Sequence, residues 1–256
     1  MKSATKGFFS ISSIVVLAMS GIVFASAPES DLQAAISTWS LPAASVNATP
    51  TSLATSVPQL PTARVEDPHQ AGVTYFSEVG HTLRGRFLQY WQAHGGLAQF
   101  GYPLTEEYLD KSLTDGKEYV TQYFQRARFE YHPENQPPYD VLLGLLGLET
   151  TEARRTEVPF RYTPPKGSPG GAYFSETGHI LAEEFISYWQ DHGGLPVYGY
   201  PISEAFQEKS ATDGKTYLVQ YFERNRLEFH PELPAEYNVS LGLLGVDLLR
   251  AKGWLR

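Results

Sequence analysis

The chain of 256 residues contains no cysteine. Disulfide scaffolds, thiolate metal sites and cysteine nucleophiles are therefore excluded, and packing alone must hold the fold. Basic residues are also scarce, with 20 Lys and Arg against 28 Asp and Glu and a formal net charge of −8. A surface of that sign repels phosphate backbones and anionic headgroups, so neither nucleic acid nor a membrane surface is an expected partner. Catalytic signatures are missing too. There is no H-E-x-x-H, no G-x-S-x-G and no Walker loop, so no cofactor and no catalytic or metal residues are expected. One long apolar run exists, Phe8 to Phe24, and it follows Lys2 and Lys6. That is the layout of a secretory signal ending near Ala25 or Ala27, or, uncut, of a short membrane anchor over residues 1–27. The expected location is extracellular or in the cell envelope.

What the chain does have is a duplication. Tyr75–Gly147 and Tyr173–Gly245 align without a gap at an offset of 98, and about 42 of the 73 positions are identical. The organisation expected from this is a disordered Ala/Ser/Thr/Pro-rich tether over 28–72, a first module over 73–148, a Pro/Gly-rich linker over 149–171 and a second module over 172–256. Within that linker Val158–Tyr162 is apolar enough to pack along a neighbour. The fold class expected is α+β, each module having a main amphipathic helix and short helices packed on a short antiparallel hairpin. In the first copy Leu83, Phe87, Tyr90, Trp91 and His94 share one helical face, and Leu181, Phe185, Tyr188, Trp189 and His192 repeat it. Ser77 and Ser175 sit where N-caps would, and Gly95-Gly96 and Gly193-Gly194 supply the stop. Thr105-Glu106 and Ser203-Glu204 look like the start of a second short helix. Tyr119–Phe124 and Arg128–His132 read as hairpin strands turning at Gln125-Arg126-Ala127, with Asn225 supplying a residue tolerant of positive φ in the second turn. Val141–Gly147 and Val239–Gly245 read as closing helices.

Six of the seven histidines form matched pairs: His81/His179, His94/His192 and His132/His230. His81 and His94 are 13 residues apart on one expected helix, about 20 Å along its axis, too far to share a metal. His94 and His192 fit better as donors to the last carbonyls of that helix. The better candidates lie on the second hairpin strand. Arg128, Glu130 and His132, with Arg226, Glu228 and His230, project from one face, while Phe129/Leu227 and Tyr131/Phe229 project from the other. The polar face is unchanged between the copies and the apolar face has drifted. Two roles fit that row: a ligand-binding surface, or a structural ion-pair network with Glu106/Glu204 or Lys111/Lys209. Glu130 with His132, and Glu228 with His230, would be the acid/base pairs of a hydrolase. Tyr102 and Tyr200, each held between Gly and Pro, are candidates for sugar stacking, whereas Trp91 and Trp189 are expected in the core.

The segments GGLAQFGYP (Gly95–Pro103) with Gln122-Tyr123-Phe124, and GGLPVYGYP (Gly193–Pro201) with Gln220-Tyr221-Phe222, resemble the LGFP repeat of bacterial envelope proteins. The likeness covers roughly residues 95–131 and 193–229. Phe100 and Tyr198 stand where that family has Leu, and Ala127 and Asn225 where it usually has Gly. The resemblance implies a role in association with the cell wall. The function expected is thus non-catalytic, bivalent binding of cell-wall or extracellular polysaccharide. A glycan or peptide hydrolase and an envelope structural protein that binds another protein are the alternatives.

Overall fold

A strand pair stands where helical periodicity places the start of a helix. β1 (Val73–Phe76) and β2 (His81–Arg84) run antiparallel with Phe76 opposite His81, and Gly80 closes their turn at a φ of 70°. Ser77 lies in this turn and caps no helix, and Leu83 belongs to β2. The main helix α1 (Gly85–Ala93) begins only at Gly85. The four-residue spacing of Leu83 and Phe87 misleads because both side chains reach one core from two different elements. His94 ends α1 with its Nδ1 2.8 Å from the Tyr90 carbonyl, the position expected of it, and Gly95 follows at a φ of 93°.

The computed structural model describes residues 60–162, 170–210 and 213–256. The expected signal segment, the tether up to residue 59 and positions 163–169 of the second linker lie outside them. Among the described residues no helix is long and apolar enough to cross a membrane. After α1 comes α2 (Gly96–Phe100), tied back by the Trp91 indole N–H, which donates to the Gly101 carbonyl at 3.1 Å. No helix starts at Thr105. Its hydroxyl accepts the Tyr123 amide at 3.1 Å and its carbonyl accepts from Gln122, so the groups a cap would use are spent on a strand.

β3 (Tyr108–Lys111), β4 (Glu118–Tyr123), β5 (Arg128–Tyr131) and β6 (Val141–Leu143) form a four-stranded antiparallel sheet in sequence order. The β4–β5 hairpin turns where the sequence places it, with the Phe124 amide donating to the Ala127 carbonyl. The Leu-rich tail divides. Val141 and Leu143 alternate inward as strand β6, and the helix, α3 (Leu146–Thr151), starts later than expected. Gln122 is fully buried, and its Nε2 donates at 2.8 Å to both the Thr82 and Thr105 carbonyls, joining β2, the Gly-Tyr-Pro loop and β4.

Every element recurs: β7 (Gly171–Phe174), β8 (His179–Ala182), α4 (Glu183–Asp191), α5 (Gly194–Tyr198), β9 (Phe206–Lys209), β10 (Thr216–Tyr221), β11 (Arg226–Phe229), β12 (Val239–Leu241) and α6 (Leu244–Ala251). The fold is α+β. Asn225 does not use a positive φ; among the described residues outside glycine only His69 has one.

Both hydrophobic clusters of the interior draw on the two copies, and the described residues form a single compact unit. The contacts between the copies are reciprocal, as a twofold axis generates. The Leu148 amide of α3 donates to the Glu223 carbonyl in the second hairpin turn, and the Val246 amide of α6 donates to the Gln125 carbonyl in the first. Arg126 reaches the Leu241 carbonyl and Arg224 the Leu143 carbonyl. α3 and α6 pack on each other. Just beyond them, Arg154 bonds the Tyr221 hydroxyl of the second copy and Lys252 the Tyr123 hydroxyl of the first, both at 3.1 Å.

The repeat also begins earlier than Tyr75. Pro61 and Pro159, again 98 apart, accept the amides of Glu106 and Glu204. Residues 60–65, placed by sequence in the tether, therefore lie against the first copy as Val158–Tyr162 lie against the second. Glu106 itself bonds His81 Nδ1 at 3.2 Å and the hydroxyl and amide of Thr82. Burial pushes its carboxyl up, but the hydrogen bonds from His81 and Thr82 outweigh burial and hold it below the ordinary carboxylate value. A depressed folded pKa contributes stability that is complete above the unfolded value of about 4.3 and is lost as pH falls through the folded one. The melting temperature is expected to drop on acidification below about pH 4, and Glu106→Gln to flatten that acid limb. An unchanged limb in the variant would assign it to other carboxylates.

Candidate functional site

The polar row is inside the protein. Arg128 and Glu130 are each 2% exposed and His132 5%. Arg128 Nη2 meets Glu130 Oε1 at 2.7 Å, while Nη1 meets Glu149 Oε2 on α3 at 3.0 Å and the Tyr123 hydroxyl at 3.1 Å. His132 lies between Glu130, at 3.5 Å, and Glu134, at 3.0 Å, with its ring against Tyr119. Burial alone would depress the Arg128 guanidinium, yet Tyr123, Glu130 and Glu149 around it hold it above its ordinary value.

In the second copy Arg226 pairs with Glu228, with Glu208 Oε2 at 3.2 Å and with the Tyr221 hydroxyl at 3.2 Å. His230 Nε2 lies 3.0 Å from Ser240 Oγ. The row is an ion-pair network, but its partners are Glu149 and Glu208. Glu106 and Glu204 are taken by His81 and His179, and Lys111 is exposed. Glu130 and Glu228 are each clamped by an arginine, at side-chain exposures of 3% and 7%, so neither carboxylate is free to serve as the acid or base of a hydrolase. The sequence carries a signal of this burial in Gly144 and Gly242, where a side chain would collide with the Arg128 or Arg226 guanidinium. Those two glycines keep room for buried arginine.

Tyr102 and Tyr200 are half-buried. Each packs edge-on to an aromatic of the neighbouring strand pair, Phe76 at 5.7 Å and Phe174 at 5.6 Å. Trp91 and Trp189 are half-buried as well and pack against the core from α1 and α4.

The accessible concave surface lies on the other face of the sheet, and it is matched between copies. α1 is nine residues long, about 13 Å, and covers Phe129 but not the cross-strand pair Val120 and Tyr131 beyond its N-terminus. A groove of about 360 Å³ opens there, with Val120 and Tyr131 in its lining and Arg84, Arg86 and Glu107 beside them. At the same repeat position the second copy has a groove of about 550 Å³ with Leu218 and Phe229 in its lining and Glu184, Gln207, Lys215 and Glu232 around them. All four of these apolar residues are half-buried. Sequence alternation assigns Tyr131 and Phe229 to the core with Phe129 and Leu227, because alternation says which face a residue occupies and not how far a short helix extends over it.

The charges around the grooves differ. Arg86 makes a bidentate pair with Asp140, at 2.6 and 2.7 Å, which raises its guanidinium pKa, and Arg84 binds Glu107 at 3.2 Å. Glu184, at the position of Arg86, and Asn238, at that of Asp140, cannot form that pair. The first groove is thus bordered mainly by donors, with Glu107 among them, and the second mainly by acceptors. Among the described residues no group of three or more His, Asp or Glu side chains is placed to hold a metal ion. No protein-family model matches the chain, and comparison with curated proteins and with solved structures gives no match.

Proposed function

We propose that the chain is an exported, non-catalytic binding protein for cell-wall or extracellular glycan, engaging it through two homologous modules. The carrying observation is the matched pair of grooves, each combining a half-exposed aromatic, Tyr131 or Phe229, with a border of charged groups, joined in the second by the Gln207 amide. An aromatic face for the apolar side of a sugar ring, beside donors and acceptors for its hydroxyls, is the chemistry polysaccharide recognition needs. The LGFP-like segments and the signal-like N-terminus support the same reading. Two weak sites on one body give avidity towards a repeating polymer.

Retention on purified peptidoglycan and on insoluble polysaccharides tests this. Tyr131→Ala and Phe229→Ala are each expected to weaken retention by about tenfold, and the double variant to lose far more than either. Full retention by a double variant that melts like the parent protein would overturn the proposal.

A further inference from the structure

We propose that the cleft between the two copies, from Arg126 to the Glu228–His230 end of the second polar row, binds a small zwitterion of the α-amino-acid class. This site is separate from the grooves and does not depend on glycan binding. Its volume is about 200 Å³, and its lining includes Arg126, Asp213, Tyr217, Glu228, His230 and Ser240. Arg126 comes from the hairpin turn of the first copy and the other five from the second.

Two differences between the copies converge on this cleft. Arg224, the repeat equivalent of Arg126, has a counter-ion in Glu223 at 3.7 Å. The residue before Arg126 is Gln125 instead. Gln125 accepts the Tyr102 amide at 3.2 Å just as Glu223 accepts the Tyr200 amide at 3.1 Å, so the exchange keeps the hydrogen bond and removes the charge. Among the described residues no carboxylate lies within ion-pair distance of Arg126, whose hydrogen bonds are two at 3.4 Å to the Leu241 and Leu97 carbonyls. Burial depresses its guanidinium, with Tyr188 and Glu228 acting in opposition. A guanidinium carries five N–H donors, and the half-buried Arg126, with only two long bonds, keeps donors for a ligand carboxylate.

The second difference is Ser240, which stands where the first copy has Leu142. Its hydroxyl meets His230 Nε2, so the wall gains a polar group at a position where the first copy has only an apolar one. Facing Arg126, the cleft is rich in acceptors. Asp213 takes the Tyr217 hydroxyl at 2.6 Å and the Lys215 amide at 3.0 Å, with the Lys215 ammonium 3.9 Å away, and Glu228 is engaged by Arg226 through one oxygen and lies 3.9 Å from His230 Nε2 through the other. A phosphate-like polyanion would meet both carboxylates. A molecule with one carboxylate for Arg126 and one ammonium for Asp213 and Glu228 satisfies both walls.

Calorimetric titration of the full chain with the L and D forms of alanine and serine, beside acetate and methylammonium, tests the assignment. Saturable binding of an amino acid is expected, weaker by about tenfold or more for either half-molecule. Arg126→Gln and Ser240→Leu are each expected to weaken it by about tenfold or more, while Arg224→Gln leaves it unchanged. Ser240→Leu installs the residue the first copy already carries, and a matched melting curve separates a lost site from a lost fold. Absence of saturable binding, acetate binding as tightly as alanine, or undiminished binding by folded Arg126→Gln would each overturn the proposal.

Discussion

Gly147→Ala is expected to lower the unfolding free energy by about 3 kcal/mol or more, against the usual sign for such a change in a helix. Alanine is favoured over glycine within a helix by about 1 kcal/mol. Here the space is missing. Gly147 lies in α3 where an added Cβ would run into the carbonyl oxygen of Phe222 in the other copy's hairpin turn, and Gly245 stands in the same relation to Phe124. The obstacle is backbone, which cannot swing aside as a side chain would, so the helix must lift off the turn. The bond from the Leu148 amide to Glu223 then lengthens with it. Urea titration checks this as a drop in midpoint at constant slope. A gain in stability would mean that the copies do not approach each other this closely.

Arg128→Ala is expected to cost about 3–5 kcal/mol, the range for removing one partner of a buried ion pair. The guanidinium serves Glu130, Glu149 and Tyr123 at once, and Glu130 is nearly inaccessible to water. The carboxylate left behind is what makes the change costly. Adding Glu130→Ala to Arg128→Ala should therefore cost much less than the sum of the two single changes, and a double-mutant cycle on denaturation midpoints measures the difference. Additive costs would mean that the pair is solvated. Both variants act through stability, so neither reports on glycan retention unless its fold is first shown intact.

The duplication, the α+β class and the β4–β5 hairpin are legible in the sequence because each rests on a local pattern: an offset, an alternation, a turn. Elements whose partners are distant were harder to read. His81–Arg84 looks like the first turn of a helix capped at Ser77 because Leu83 and Phe87 keep helical spacing, although a bend at Gly85, with a φ of 55°, separates them. Thr105 looks like a cap because its use by the Tyr123 amide depends on how β4 folds back. For the site, identity between the copies marks Arg128, Glu130 and His132 correctly as constrained but cannot distinguish contact with a ligand from contact with Glu149. The grooves were invisible for the opposite reason. Arg86 and Glu184 differ, and difference between copies reads as free drift even where both residues border the same open surface.

The exchange of closing helices has a consequence for how the chain emerges. Tyr123 in the first sheet takes its lysine from Lys252, 129 positions later, and the first hairpin turn receives its amide partners from α6. The first half, which leaves the ribosome before the second, must wait with that turn uncovered until α6 has arrived. Long-range closure of this kind slows assembly and leaves apolar surface exposed meanwhile. The burden falls on chaperoning during synthesis.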